Sequence, residues 1–452
     1  MKLSSGWINS AYSIDQERLL RRMLSPFVGL DQMVGTIVRG RREPRLHVMG
    51  GDLAGVHLLR GQERPKPGAY HIGGAGILLG ESIIRTCGET AERYAQLVAE
   101  YTRRDEIEYG SYEEMRTRGK NLPSQECFKY FTEVQLAKQS LGLSEFDCDS
   151  VFAWVPAFSI PRFTETWVPA QAVFVGYVPK LSAGEPWLYP CMTTGTAVHT
   201  TYFAALRNAL LELVQIDAAI GFWYTGRQTK TIIMDGAASL VNSLIERTLL
   251  GTGITARFCL FDFDIKNVCS VACILESSEG YPEAAVGLGI EFDAIQAMYK
   301  AFLEAIGVFQ LAKITTVHDS AESGSQNDLS KQPDCLFDLD HNVKYYARPE
   351  HKSLLRRCFG CTETVSTANL VNSPSFSDMN CVSRLIAELA YNNIRLFVQD
   401  LSWNDIRKLG LKCVRIWSPD LLPMCLPSLP PAKHPRFAAF GEVSTEWPHP
   451  YA

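Results

Sequence analysis

The sequence predicts an α+β fold, and three observations carry that expectation. Strand-like and helix-like segments are both frequent but do not alternate strictly along the chain. Long helical patterns run over roughly 80–100, 202–224 and 293–313. From Pro419 onward the composition shifts, with eight of the 23 prolines in the last 34 residues. A tail so dense in proline excludes regular helix or central strand. No short-period repeat is present.

Taken in order, residues 1–65 open with an amphipathic segment, Glu17 to Met23, and then Ser25-Pro26-Phe27-Val28-Gly29. Strand-like runs follow at Gly35-Thr36-Ile37-Val38 and Arg45-Leu46-His47-Val48-Met49. Gly73-Gly74-Ala75-Gly76 reads as a turn, either a plain one or one that lets backbone approach a ligand. Between Gly80 and Glu100, Ile83, Ile84, Cys87, Ala91, Tyr94, Ala95 and Val98 recur at three- and four-residue steps, which predicts a long helix. Residues 103–127 are charged and irregular and read as a surface excursion. Strands are expected at 151–155 and 172–178. A second helix is expected from Tyr202 to Tyr224, apolar at Leu206, Ala209, Leu210, Leu213, Val214 and Ala218.

Thr231-Ile232-Ile233-Met234 reads as a strand before a helix at 237–249. Strands at 256–263 and 268–275 and a helix from Asp293 to Lys313 come next. Residues 317–345, dense in Ser, Asn, Asp and Gly, read as a long mobile loop or lid. A helix at 381–391 and strands at 395–400 and 411–416 complete the body.

Composition narrows the function. The chain has 452 residues, 46% hydrophobic and 21% charged, as an ordinary globular protein does. Its net charge of -5 gives no overall basic excess for nucleic acid. Arg39, Arg41, Arg42 and Arg45 form a local basic run that reads as a solvated loop or as a basic patch. No stretch reaches the ~18 apolar residues of a membrane span, and the N-terminus lacks an apolar signal core. A soluble, cytoplasmic protein is expected. The thirteen cysteines are scattered singly, which suits reduced, buried thiols. Cys358 and Cys361 form the one CxxC; zinc would need Cys335 or Cys381 to fold back.

Two helices hold the candidate chemistry. Glu89, Glu92 and Arg93 project from one face of the first. That pattern is either a solvated Glu-Arg face or part of a site. On the second, Glu212 and Gln215 stand three apart among Leu210, Leu211, Leu213, Val214 and Ile216. A helix apolar almost all round is buried, so its carboxylate needs a cation, either an arginine or a metal. Together the two helices suggest a carboxylate-rich pocket suited to Mg2+ with a nucleotide, and Arg93 is the natural phosphate contact. Neither GxxxxGK[ST] nor a GxGxxG between strand and helix is present.

Gly88-Glu89-Thr90-Ala91-Glu92-Arg93-Tyr94 resembles the E-x-x-E-R helix of the YcaO family. Residues 204–218 resemble that family's second helix, A-L-L-x-x-L-L-E-x-x-E/Q-R-D-A. Gly287-Leu288-Gly289 with Ala301-Phe302-Leu303-Glu304-Ala305 resembles its third motif, a G-x-G turn and a helix. Residues 401–416 and the ending Trp447-Pro448-His449-Pro450-Tyr451-Ala452 resemble the azoline-forming branch. The resemblance runs over nearly the whole chain. It implies an N-terminal segment at 1–65 packed on the core, a catalytic domain at 66–417 around a nucleotide site, and a tail at 418–452 reaching that site.

The implied activity is ATP-dependent cyclodehydration of Cys, Ser or Thr in a ribosomally made precursor peptide. The side chain attacks the preceding amide carbon, ATP phosphorylates the resulting oxyanion, and loss of phosphate leaves a thiazoline or oxazoline. By resemblance, Glu89, Glu92, Glu212 and Gln215 are ligands of Mg2+ and nucleotide, Arg93 contacts phosphate, and Glu304 lines the nucleotide site. The tail, through Pro448 and Pro450, presents the Ala452 carboxylate as general base. Implied partners are the precursor peptide, an E1-like protein that binds its leader, a flavin-dependent azoline dehydrogenase, and a second copy of the chain. The resemblance leaves two alternatives for this chain: a thioamide- or amidine-forming enzyme of the same fold, or a scaffold subunit of a peptide-modification complex without ATP binding. Several motif positions depart from the pattern: Arg85 stands for Ser, Ile216 for Arg, Ala75 for Lys, and Gly307 and Phe309 for Gln-x-Arg.

Overall fold

The computed structural model describes residues 21–25, 29–53, 55–59, 61–63, 65, 71–138, 141–322, 336–370, 376–445 and 447–452. In chain order, the first strands are β1 (Asp31–Thr36), β2 (His47–Leu53) and β3 (Gly73–Gly76), followed by helix α1 (Leu79–Thr102). Then come β4 (Glu108–Gly110), β5 (Phe152–Ile160), β6 (Glu165–Pro169), β7 (Thr196–His199) and helix α2 (Tyr202–Thr225). The middle holds β8 (Lys230–Ile233), α3 (Ser239–Leu249), β9 (Ile254–Leu260), β10 (Cys269–Ser277), β11 (Ala284–Glu291) and α4 (Ala294–Glu322). The last elements are α5 (Leu339–Tyr346), β12 (Thr364–Ser366), α6 (Asp378–Tyr391), β13 (Leu396–Asp400) and β14 (Lys412–Trp417).

These make three sheets: β1-β2-β3; β11-β10-β9-β8-β12, with β12 parallel to β8; and β4-β5-β13-β14-β7, with β6 beside β5. Helix α2 lies between the two larger sheets. It touches β14 and β7 on one side and β11 on the other, which is why its sequence is apolar all round. Its start is fixed by Thr201, whose side chain accepts from the Ala204 N–H at 3.2 Å, and its end by Gly226 at φ +71°. Helix α4 covers the opposite face of the five-stranded sheet. Along β11, Ala284, Val286, Leu288 and Ile290 face the α2 side, while Gly287 and Gly289 face α4.

Several expectations are corrected. Gly73–Gly76 is a strand paired with β2. A Cβ on Gly74 would lie 2.5 Å from the Ser82 carbonyl oxygen, so the glycines let β3 lie against α1. Gly287-Leu288-Gly289 likewise lies within β11, and a Cβ on Gly289 would lie 2.1 Å from the Ala297 carbonyl oxygen. Residues 103–127 are not an excursion, since Tyr112 and Met115 enter the core. The strand expected at 172–178 is β6 instead; the chain leaves it at Pro169 into a short helix, Ala170–Val173. The loop expected at 317–345 is helical to Glu322 and again from Leu339; its middle, 323–335, lies outside the described residues. So does most of the amphipathic segment expected from Glu17.

No helix among the described residues is long and apolar enough to cross a membrane. Cys358 is buried, and the CxxC gains no third ligand among the described residues. The one group of three potential metal ligands there is the surface set Asp147, Cys148 and Asp149. The four arginines at 39–45 are exposed, and Arg42 pairs with Glu279.

Candidate functional site

The first wall of the site is α1. Its Ser82, Thr86 and Thr90 are buried toward β2 and β3, which turns Glu89, Glu92, Arg93 and Gln96 to another face. There the Arg93 Nη2 lies 2.5 Å from Glu89 Oε1, and Nη1 lies 3.2 Å from Glu92 Oε1 and 3.5 Å from Gln96 Oε1. Gln96 Nε2 donates to the Thr193 carbonyl at 3.1 Å, tying α1 to the loop before β7.

The same loop meets α2. The Gly195 N–H donates to Glu212 Oε2 at 3.1 Å. On this otherwise buried helix the half-buried residues Asn208, Glu212 and Gln215 follow at steps of four and three, one polar stripe. Gln215 makes no side-chain hydrogen bond among the described residues.

The third wall is α4. Glu304 Oε1 accepts from the Leu288 N–H at 3.1 Å. β11 is an edge strand, so this amide has no sheet partner on that side, and the carboxylate takes it.

The charges on the three walls act on one another. Burial pushes the Glu92 carboxyl well above the usual range, and repulsion from Glu212 and Glu89 adds to it while Arg93 and Arg415 oppose it. Burial lifts Glu212 to about 7 against Arg93, Arg415 and the Gly195 amide, with Glu89 adding repulsion. Burial lifts Glu304 to about 8 despite the Leu288 amide, and Glu89 and Glu212 again repel it. Glu304 is nevertheless exposed. Burial disfavours the Arg93 charge, but Glu89, Glu92 and Glu212 outweigh it and raise its pKa.

The charges of Glu89, Glu92, Glu212 and Glu304 thus act on one another and with those of Arg93 and Arg415. Such a hard-oxygen set, held short of full ionisation, fits a divalent cation of the Mg2+ type. A cation there would offset the burial and repulsion that raise these pKa values.

Residue reasoning passed over Arg415, Gln96 and Asn208. Arg415 is buried in β14, where it donates to the Thr194 carbonyl at 2.6 Å and Thr196 Oγ1 at 3.0 Å. Its signal was a single charge in the apolar run Cys413-Val414-Arg415-Ile416-Trp417. Gln96 carried the same i,i+3 spacing from Arg93 that marked Glu92 from Glu89.

The chain end is anchored nearby. Pro448, His449, Pro450 and Tyr451 are buried and Ala452 is exposed. The Tyr451 hydroxyl donates to the Ala219 carbonyl at 3.2 Å, one turn past Gln215 on α2. Asn342 Nδ2 donates to the His449 and Tyr451 carbonyls, each at 2.7 Å. Two residues before Asn342, Asp340 lies 3.2 Å from His71 Nε2, and the charge of Arg93 acts on that imidazole.

Residues 73–422 match the model of a family described as YcaO cyclodehydratase, ATP- and Mg2+-binding. No curated protein matched. Among solved structures, a heterocyclase in complex with substrate and cofactor aligns with TM-score 0.69 and 16% identity over 96% of this chain; the chain spans only 57% of that one. YcaO from Methanopyrus kandleri, bound with AMPPCP and Mg2+, aligns with TM-score 0.61 and 16% identity over 91% of this chain and 92% of that one. The E. coli microcin synthetase McbBCD complex aligns with TM-score 0.55 and 15% identity over 86% of this chain and 88% of the other. A second structure of that complex, with pro-MccB17 bound, has TM-score 0.57 and 14% identity, over 93% and 96%. At these identities the likeness speaks for the fold.

Proposed function

The chain belongs to the YcaO family, and from that premise we propose that it is an ATP-dependent peptide cyclodehydratase that forms thiazolines or oxazolines from Cys, Ser or Thr. One observation supports the reading: carboxylates of α1, α2 and α4 act electrostatically on one another, and burial raises Glu92, Glu212 and Glu304, so a cation among them would be favoured. Glu89, Glu92 and Glu212, with the Gln215 amide oxygen, are the residues that would hold Mg2+, and Glu304 would line the nucleotide site. When bound, Mg2+ and ATP supply charge neutralisation and a phosphoryl group for the amide oxygen.

The chain's own residues do the rest. Gly195 and Arg93 fix the carboxylates of Glu212 and Glu89 before any ligand arrives, so little reorganisation is left for the chemical step. Arg415 holds the 194–196 loop, and through it Gly195. The buried tail from Pro448 to Tyr451 positions the exposed Ala452 carboxylate, which takes the proton of the attacking thiol or hydroxyl. Attack then forms the bond from sulfur or oxygen to the amide carbon and leaves an oxyanion on the amide oxygen. After phosphoryl transfer, loss of the amide proton and of phosphate completes the ring.

A precursor peptide is the substrate class. A leader-binding E1-like protein, an azoline dehydrogenase and a second copy of the chain are the proposed partners, within the cytoplasm. The similarity to a microcin synthetase complex, once with pro-MccB17 bound, supports assembly with other subunits. The test is phosphate release, with loss of water from the peptide read by mass. The assay uses Mg2+, ATP, a Cys/Ser/Thr-rich peptide encoded beside this gene, and the neighbouring partner protein. Activity that persists unchanged in both Glu89→Gln and Glu212→Gln would show that the assigned site is wrong.

A further inference from the structure

A cavity lies beside the loop that carries Gly195, bordered by β14 and by the start of the tail. Ala172, Cys191, Thr194, Arg415, Trp417 and His434 are among the residues that line it. It encloses about 30 Å3, room for one or two water-sized atoms. Arg415 is the one charged side chain on its wall. The rest of the lining is apolar, aromatic or neutral, and burial lowers the His434 pKa to about 4, which leaves that imidazole uncharged.

Arg415 is 4% exposed, the only arginine so deeply buried among the described residues. The groups it touches are all neutral. Nη1 donates to the Thr194 carbonyl and to Thr196 Oγ1, and Nη2 lies 3.2 Å from Cys191 Sγ. Burial raises the Cys191 pKa although Arg415 opposes it, so this sulfur is a thiol. Glu92 and Glu212 act on Arg415 without touching it. Nε is buried and has no hydrogen-bond partner among the described residues.

Elsewhere in the chain the same edge of the guanidinium takes a carboxylate. Arg85 gives Nε and Nη2 to Glu81, Arg103 to Glu106, Arg395 to Asp420 and Arg436 to Asp217. That edge presents two parallel N–H donors and matches an anion. On Arg415 it turns toward Cys191, which lines the cavity. A buried charge with no counter-charge in contact is costly, and the cavity is where one fits.

We propose that the Nε–Nη2 edge of Arg415 binds a small monovalent anion of halide size in this cavity. The site does not rest on the ATP reading. A bound anion fixes Arg415, and through its hydrogen bonds the loop whose Gly195 N–H holds Glu212.

The test uses the full chain and bromide, without nucleotide. Crystals grown in sodium bromide should show an anomalous bromine peak against Nε and Nη2 of Arg415. In solution, melting in sodium bromide is compared with melting in sodium gluconate at equal ionic strength, gluconate being too large for the cavity. The bromide-minus-gluconate shift should be larger in wild type by about 2 °C or more than in Ala172→Val, whose added methyl groups fill the cavity. Arg415→Lys keeps the charge and loses the fork, so it too should lose the peak and the extra shift. If either variant does not fold, the other carries the test. No bromine peak at Arg415 would overturn the proposal. So would a peak accompanied by equal shifts in wild type and the folded variants, which would mark an adventitious ion only.

Discussion

Replacing Glu212 by glutamine should stabilise the ligand-free protein at alkaline pH while removing its response to Mg-nucleotide. Glu212 titrates at about 7 in the folded chain instead of 4.5, so ionising it there costs about 3 kcal/mol at most. Its half-buried position and the charge it shares with Glu92 bring the expected gain for Glu212→Gln to about 1–2 kcal/mol at pH 8. The sign follows from proton binding. Between the unfolded value of 4.5 and the folded value of about 7, the native state holds a proton that the unfolded chain has lost. Stability present at low pH is therefore lost as pH rises through about 7, and Glu304 extends the loss to about 8.

The assay is thermal melting at pH 6 and pH 8, with and without MgAMPPCP. Wild type should melt lower at the higher pH and gain on adding ligand. Glu212→Gln should melt about 1–2 °C higher than wild type at pH 8 in the absence of ligand, show a flatter pH dependence, and gain little from MgAMPPCP. If Glu212→Gln instead lowers the midpoint equally at both pH values, the carboxylate is a structural partner of Arg93 and Arg415, and the reasoning fails.

Two further outcomes follow from the same geometry. Arg415→Met leaves the Thr194 carbonyl unpaired and removes a cation whose charge acts on Glu92 and Glu212, so unfolding free energy measured in denaturant should fall by about 1–3 kcal/mol; a loss under about 1 kcal/mol would mean that the guanidinium is not what offsets those carboxylates. Removing Ala452 alone should leave melting and MgAMPPCP binding unchanged while abolishing cyclisation; removing Pro448 to Ala452 tests less, because it also takes out the buried His449 and Tyr451.

Much of this was readable from the chain, for physical reasons. The long helices announced themselves because α1, α2 and α4 each bury an apolar stripe against a sheet, and 3.6-residue periodicity is local. The apolar surroundings of Glu212 already implied a buried carboxylate in need of a cation. The glycine runs misled, because local propensity reads Gly as turn, whereas Gly74 and Gly289 are glycines so that a helix can lie against a strand. That contact joins residues far apart in sequence. The seat of Glu304 was hidden for the same reason: it depends on β11 being an edge strand with a free Leu288 amide. Arg415 could have been found as a lone charge in a buried strand; its partners, Thr194 and Thr196, could not.

The most direct measurement is the anomalous signal of Mn2+ in crystals grown with AMPPCP. Manganese within about 2.1 Å of carboxylate oxygens of Glu89, Glu92 or Glu212 is the expected result. Manganese bound elsewhere, with those carboxylates still paired only to Arg93 and to the Gly195 amide, would contradict it.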